Sequence, residues 1–173
     1  MIGPHVGLIT STGGIMAKIK DGGKRTAFET GAVREIDETK GRCDLVYNTG
    51  WCDVIGDNFY YYLEMFVRYG TRGFVVLACK KFVELAYKND FNTAYLEVSQ
   101  HYAQGAKKYA DRNMEKGLPW HSMVDSALRH YTKWRRGDDD EPHDRAVIWN
   151  LLTLLYMVDN KPELNDLPCK EEK

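Results

Sequence analysis

The stretch Ser126-Ala127-Leu128-Arg129-His130, followed by Asp138-Asp139-Asp140-Glu141-Pro142-His143-Asp144 and then Trp149-Asn150, decides the fold. Around its first part, Met123, Ala127, His130 and Trp134 recur at three- and four-residue spacing, the signature of one face of an α-helix. Gly137 closes that helix, and Pro142 suits the first position of the next, with Asp140 or Glu141 before it as the cap. Val147, Ile148, Leu151, Leu155 and Val158 form the returning apolar face. Residues 121 to 136 and 142 to 159 are therefore expected as adjacent antiparallel helices, because the turn between them is short.

His130 falls within the apolar stripe, and a buried imidazole needs a polar partner. With a rise of about 1.5 Å per residue, an antiparallel pair puts His130 opposite residues 148 to 150. Asn150 is then its expected neighbour, and Asp144 lies about one turn nearer the loop.

Working upstream, the helical pattern begins near Asp57. Phe59 to Tyr62 lead through Leu63, Phe66 and Val67 to a stop at Gly70; Phe74, Leu77, Ala78, Phe82, Leu85 and Ala86 repeat at helical spacing; Phe91, Tyr95, Val98, Tyr102 and Tyr109 share a third stripe. Before that point the chain is broken by glycine. Gly3, Gly7, Gly13, Gly14, Gly22 and Gly23 predict an irregular or β-ribbon arm, and residues 28 to 45 are expected to be extended or loop-like. The whole reads as one mainly all-α domain over residues 1–173: an irregular arm at 1–45, a small helical bundle at 57–159 built on a central antiparallel hairpin, and a tail at 160–173.

The formal net charge of -1 gives no bulk attraction to nucleic acid or to an anionic membrane, so any phosphate binding must be local. Cys43, Cys52, Cys79 and Cys169 form no C-x-x-C pair and read as reduced thiols of a cytoplasmic protein. No apolar run is long enough for a membrane span.

Two groups of side chains carry candidate chemistry. Lys107, Lys108, Arg112 and Lys116, beside Tyr109, Asn113 and Trp120 and followed by Arg129, have the charges to clamp phosphates and the rings to stack a base. Asp140, Glu141, His143 and Asp144 are the candidate metal ligands, with His130 and Asn150 as the catalytic pair that positions water or ligand. Plainer readings stand beside both. An acidic run at a helix start gains about 0.3–1 kcal/mol per charge from the helix dipole, and each lysine or arginine taken singly fits a solvated face. His130, His143-Asp144 and Asp159 also follow the order of an H…HD…D phosphohydrolase, at much shorter spacing. Thr10-Ser11-Thr12-Gly13-Gly14 lacks the Gly-Lys-Ser/Thr of a P-loop and reads as a turn.

Several short motifs in order resemble a phage-associated family named after the N-terminal domain of dATP/dGTP diphosphohydrolases. They are Phe28-Glu29-Thr30-Gly31-Ala32-Val33-Arg34, Lys40-Gly41-Arg42-Cys43-Asp44-Leu45, Gly105-Ala106-Lys107-Lys108-Tyr109, Asp111-Arg112-Asn113, Glu115-Lys116-Gly117-Leu118-Pro119, Arg129-His130, His143-Asp144 with Asn150, and Pro162-Glu163-Leu164-Asn165-Asp166-Leu167-Pro168. The resemblance implies a helical protein of nucleotide metabolism in the host cytoplasm, with a purine (deoxy)nucleotide as ligand, Mg²⁺ or Mn²⁺ as cofactor, and a homo-oligomeric state. MazG-type pyrophosphohydrolases, which are similar in being helical, hold their metals with E-E-x-x-E and E-x-x-D. Glu141-Pro142-His143-Asp144 supplies the second pattern, and nothing in this chain supplies the first. Two readings stay open: a metal-dependent (d)NTP pyrophosphohydrolase, and a non-catalytic protein that sequesters a nucleotide or nucleotide-derived signal and so counteracts host defence.

Overall fold

The structure, a computed structural model, describes residues 24–35, 40–46 and 50–169. The glycine-rich stretch up to Gly23, with the expected turn at Thr10 to Gly14, lies outside the described residues. The fold is mainly all-α. A two-stranded antiparallel hairpin, β1 (Arg25–Ala27) and β2 (Val33–Glu35), pairs Arg25 with Glu35 and turns at Gly31. A 3₁₀ turn at Cys43–Leu45 leads to α1 (Trp51–Ile55), α2 (Asn58–Tyr69), α3 (Arg72–Tyr87) and α4 (Phe91–Tyr109). After a 3₁₀ turn at Asn113–Lys116 come α5 (Trp120–Arg136) and α6 (His143–Asn160), then a last 3₁₀ turn at Pro162–Leu164. No helix of the described residues is long and apolar enough to cross a membrane.

Local signals account for the helix ends. The Asp57 carboxylate accepts from the Phe59 amide at 2.8 Å to start α2, and Gly70 closes it in the left-handed conformation. Asp90 caps α4 in the same way through Thr93. Helical structure begins at Trp51, before the expected start near 57, in the short α1. Pro142 precedes α6 instead of opening it, and neither Asp140 nor Glu141 caps that helix with its side chain.

The core lies where α2, α3 and α6 meet α5. Phe59 stacks on Tyr131 with ring centroids 3.9 Å apart, Phe82 packs edge-on against Tyr131 and Trp134, and Leu151, Leu154 and Met157 close it from α6. α5 and α6 are neighbours and run antiparallel: the Leu118 amide meets Met157 Sδ at 3.4 Å, and His130 meets His143. The register differs from the expected one. Gly137 to Pro142 do not simply bridge two level helix ends. They fold back along the last two turns of α5, where the Asp138 amide donates to the Lys133 carbonyl and Lys133 Nζ reaches Asp140 at 3.1 Å. α6 therefore begins about two turns below the end of α5, and His130 faces His143 rather than Asn150.

Gly117 joins three distant segments. Thr30 Oγ1 donates to the Gly117 carbonyl at 2.6 Å, and Leu164 packs so closely that a Cβ on Gly117 would lie 2.6 Å from its Cδ1. With φ at +118°, this residue also occupies a region that side chains disfavour. Gly117→Ala should destabilise the fold by about 1–3 kcal/mol, read by urea unfolding; an unchanged midpoint would show that this junction carries no strain.

Candidate functional site

His143 is buried at the start of α6, its side chain 1% exposed, and its Nε2 lies 2.8 Å from Asp140 Oδ1. An ionised carboxylate only accepts, so in neutral His143 the ring proton sits on Nε2 and the Nδ1 lone pair points inward. There it meets His130 Nδ1 at 2.9 Å. Two lone pairs cannot face each other at that distance, so either a proton of His130 or a cation lies between them. Glu141 Oε1 stands 3.9 Å from His130 Nδ1 and 4.0 Å from His143 Nδ1. His130, Glu141 and His143 thus offer two imidazole nitrogens and one carboxylate oxygen to a single point, and Asp140 with Asp138 forms a second such group around His143. Burial first, then neighbouring His143 and the guanidiniums of Arg129 and Arg34, push the His130 pKa well below its ordinary value, so this imidazole is neutral at neutral pH.

Those neighbours form the second half of the site. Arg34, carried in by β2, is largely buried in the α5–α6 seam, where its Nη2 donates to Asn150 Oδ1 at 3.4 Å and its Nη1 lies 3.6 Å from Met123 Sδ. Burial first, then Arg129, lower its pKa to about 10, against the opposite pull of Asp125. It still carries its charge at neutral pH. Arg129 forks onto Asp125 Oδ2, with Nη1 at 2.9 Å, while its Nε is buried without a partner. The other oxygen of Asp125 is taken as well: Oδ1 accepts from the Cys43 amide at 2.7 Å. His101 of α4 is buried against Trp149, its Nδ1 unpartnered and its pKa lowered to about 4, by burial and then by Arg145. Two largely buried guanidiniums, Arg129 paired with Asp125 and Arg34 held by the neutral Asn150, therefore stand near two imidazoles, His101 and His130, that resist protonation. A buried positive charge in excess of its counter-charges is stabilised by an anion.

The remaining expected residues are distributed unevenly. Asn150 holds Arg34 and donates from Nδ2 to the Ala146 carbonyl, instead of standing beside His130. Asp144 is apart from the histidine pair, accepting from Tyr87 OH at 3.0 Å and from the Arg145 amide at 2.8 Å. Trp120 is 4% exposed and stacks on Phe66 in the core, so it presents no face to a base. Asn113 clamps β2 by exchanging hydrogen bonds with the amide and carbonyl of Val33. Arg112 turns to Glu115 at the surface, and Lys107 and Lys116 are exposed. Tyr109 has two cations, Arg25 and Lys108, at 5.5 and 5.3 Å from its ring centre. Asp159 pairs with Arg72 at the surface. Arg34, Asp125 and His101 were not among the expected site residues. All three left a trace: Arg34 closes the family-like motif that starts at Phe28, Asp125 is four residues before Arg129, the spacing of a helical ion pair, and His101 continues the apolar stripe of Ala94 and Val98.

The family described as dATP/dGTP diphosphohydrolase, N-terminal, matches residues 81–167. The chain belongs to this family. No curated protein and no solved structure matches it. The matched span holds His101, Asp125, Arg129, His130, Asp140, Glu141, His143 and Asn150, whereas Arg34 enters from outside it.

The buried histidines set a pH dependence. An unfolded chain protonates His101 near pH 6.5, while the folded chain resists until about pH 4, so stability present above the first value is lost as pH falls toward the second. His130 acts in the same direction. Urea midpoints should therefore fall across this interval, and His101→Gln should flatten the slope; an unaltered slope in that variant would assign the acid sensitivity elsewhere.

Proposed function

We propose that this chain binds the phosphate chain of a purine deoxynucleoside triphosphate in the α5–α6 seam and hydrolyses it, with a divalent metal, to the monophosphate and pyrophosphate. The observation that carries the reading is the pair of largely buried guanidiniums next to the His130–His143–Glu141 group: Arg129, whose fork lies on Asp125, and Arg34, which donates to the neutral Asn150. Charge-assisted bonds from planar guanidiniums suit phosphate oxygens, and burial strengthens them. The family description, dATP/dGTP diphosphohydrolase, supports the nucleotide class.

In this reading His130, Glu141 and His143 hold the metal, and Asp140 fixes the His143 ring. A bound divalent ion would supply Lewis-acid polarisation of the phosphate and a more acidic water. The chain's own residues do the rest: Asn150 orients Arg34, Asp125 orients Arg129, and the guanidiniums neutralise charge that builds on the leaving pyrophosphate as a P–O bond breaks and water's oxygen replaces it. Lys107 and Lys108 extend the positive field at the end of α4. Two imidazoles and one carboxylate suit Mn²⁺ better than Mg²⁺, which prefers an all-oxygen shell.

One observation favours binding without turnover. Asp144, the acid of the E-x-x-D pattern, is engaged by Tyr87 and lies outside both groups that could hold a metal, so Glu141 and Asp144 do not act together as an E-x-x-D ligand pair.

Arg34→Gln should weaken deoxynucleotide binding by about 1.5–3 kcal/mol, measured calorimetrically beside a melting curve; unchanged affinity in a folded variant would move the phosphates elsewhere. Glu141→Gln combined with His143→Asn should abolish Mn²⁺-dependent pyrophosphate release from dATP and dGTP while retaining most of the binding. Release that survives both substitutions would remove the metal assignment, and nucleotide bound tightly by the parent protein yet recovered intact would select the non-catalytic reading.

A further inference from the structure

A second feature lies on the other side of Asp125. Between the Cys43–Leu45 turn, α1, α2 and α5 is a cavity of about 200 Å³ whose wall is almost wholly apolar. We propose that this cavity receives the purine base of the nucleotide whose phosphates meet Arg34 and Arg129; the proposal rests on the phosphate reading above.

The lining has the chemistry of a base pocket. Trp51, with 47% of its surface exposed, and Tyr60, its OH 2.8 Å from Thr132 Oγ1, both line it. Such rings provide faces on which a heteroaromatic base stacks. The one charged group in the lining is Glu64, only 3% exposed. Its Oε1 accepts from Arg68 Nη2 at 2.6 Å and its Oε2 from the Cys52 thiol. A carboxylate has about four acceptor positions, so two remain for the N–H groups on the edge of adenine or guanine. Cys52 stays a thiol, its pKa pushed up to about 11 by burial and by its bond to Glu64, which sets aside a thiolate metal site in the same cavity.

Continuity with the phosphate cluster comes from one peptide group and one helical turn. Cys43 lines the cavity, and its backbone amide donates to the Asp125 carboxylate that clamps Arg129. Leu128, in the cavity wall, is the residue before Arg129. The volume is below the roughly 300–1,000 Å³ of pockets that enclose a whole drug-sized ligand, as expected if it holds the base alone while the sugar and phosphates lie outside.

The test uses the full chain in EDTA, so that binding is read without turnover, with tripolyphosphate, dATP, dGTP and purine-2′-deoxyriboside triphosphate as probes. dATP and dGTP should bind at least tenfold tighter than tripolyphosphate and quench tryptophan fluorescence, and the analogue lacking an exocyclic amine should lose part of that gain. Trp51→Ala, and Thr132→Trp as a second variant that fills the cavity, should bring nucleotide affinity down to that of tripolyphosphate, with tripolyphosphate binding and the melting temperature unchanged. Nucleotides that bind no tighter than tripolyphosphate, or keep their advantage in both folded variants, would overturn the base pocket while leaving the phosphate site standing. Absence of tripolyphosphate binding in the parent protein would instead overturn the phosphate reading, and the base pocket with it. A cavity that serves a partner's apolar side chain would betray itself by variants that leave every nucleotide affinity unchanged.

Discussion

The register between α5 and α6 governs the chemistry of the seam. Because residues 137 to 142 fold back along the end of α5, the first turn of α6 lies against the middle of its neighbour, and His143 is carried to His130. A level pairing would have put Asn150 there and left His143 near the loop. The overlap also brings Asp140 to the back of the His143 ring, so the loop that sets the register fixes the tautomer too. Packing density along the shared apolar faces resists sliding, since a shift by one turn would unseat Leu151, Leu154 and Met157 together.

The second constraint is electrostatic. Burying a guanidinium is costly unless it is paired, and this seam largely buries two: Arg129, paired with an Asp125 that also accepts from the Cys43 amide, and Arg34, which donates to the neutral Asn150. The imidazoles nearby respond by remaining neutral: His101 and His130 are both held below their ordinary range, mainly by burial and partly by the surrounding cations. Buried positive charge of this kind would be stabilised by a bound anion. The buried, neutral imidazoles thus make the fold less stable as pH falls.

Delivery of Arg34 depends on contacts remote from the seam. Asn113 grips β2 at Val33, Thr30 is bonded to the Gly117 carbonyl, and Leu164 closes over Gly117 from the C-terminal side. Segments near 30, 115 and 164 therefore form one junction, whose consequence is the position of a single guanidinium. Family-like motifs at these places have that mechanical role.

Local sequence determined the helices, because amphipathic period and caps act within a few residues: Asp57 and Gly70 bound α2, Asp90 opens α4, and the stripes through Met123 to Trp134 and Val147 to Val158 specify α5 and α6. The concentration of His130, Asp140, Glu141 and His143 near one end of the hairpin was legible for the same reason. Tertiary structure alone decided which of them touch. A loop of six residues can bridge two helix ends or fold back on one of them, and only packing against the rest of the core chooses between these. It also sent Trp120 into the core against Phe66 and Asp144 to Tyr87, and drew Arg34 across from a hairpin distant in the chain. Charge and polarity are properties of a residue, whereas burial and partners belong to the assembled fold, and the site is made of the latter.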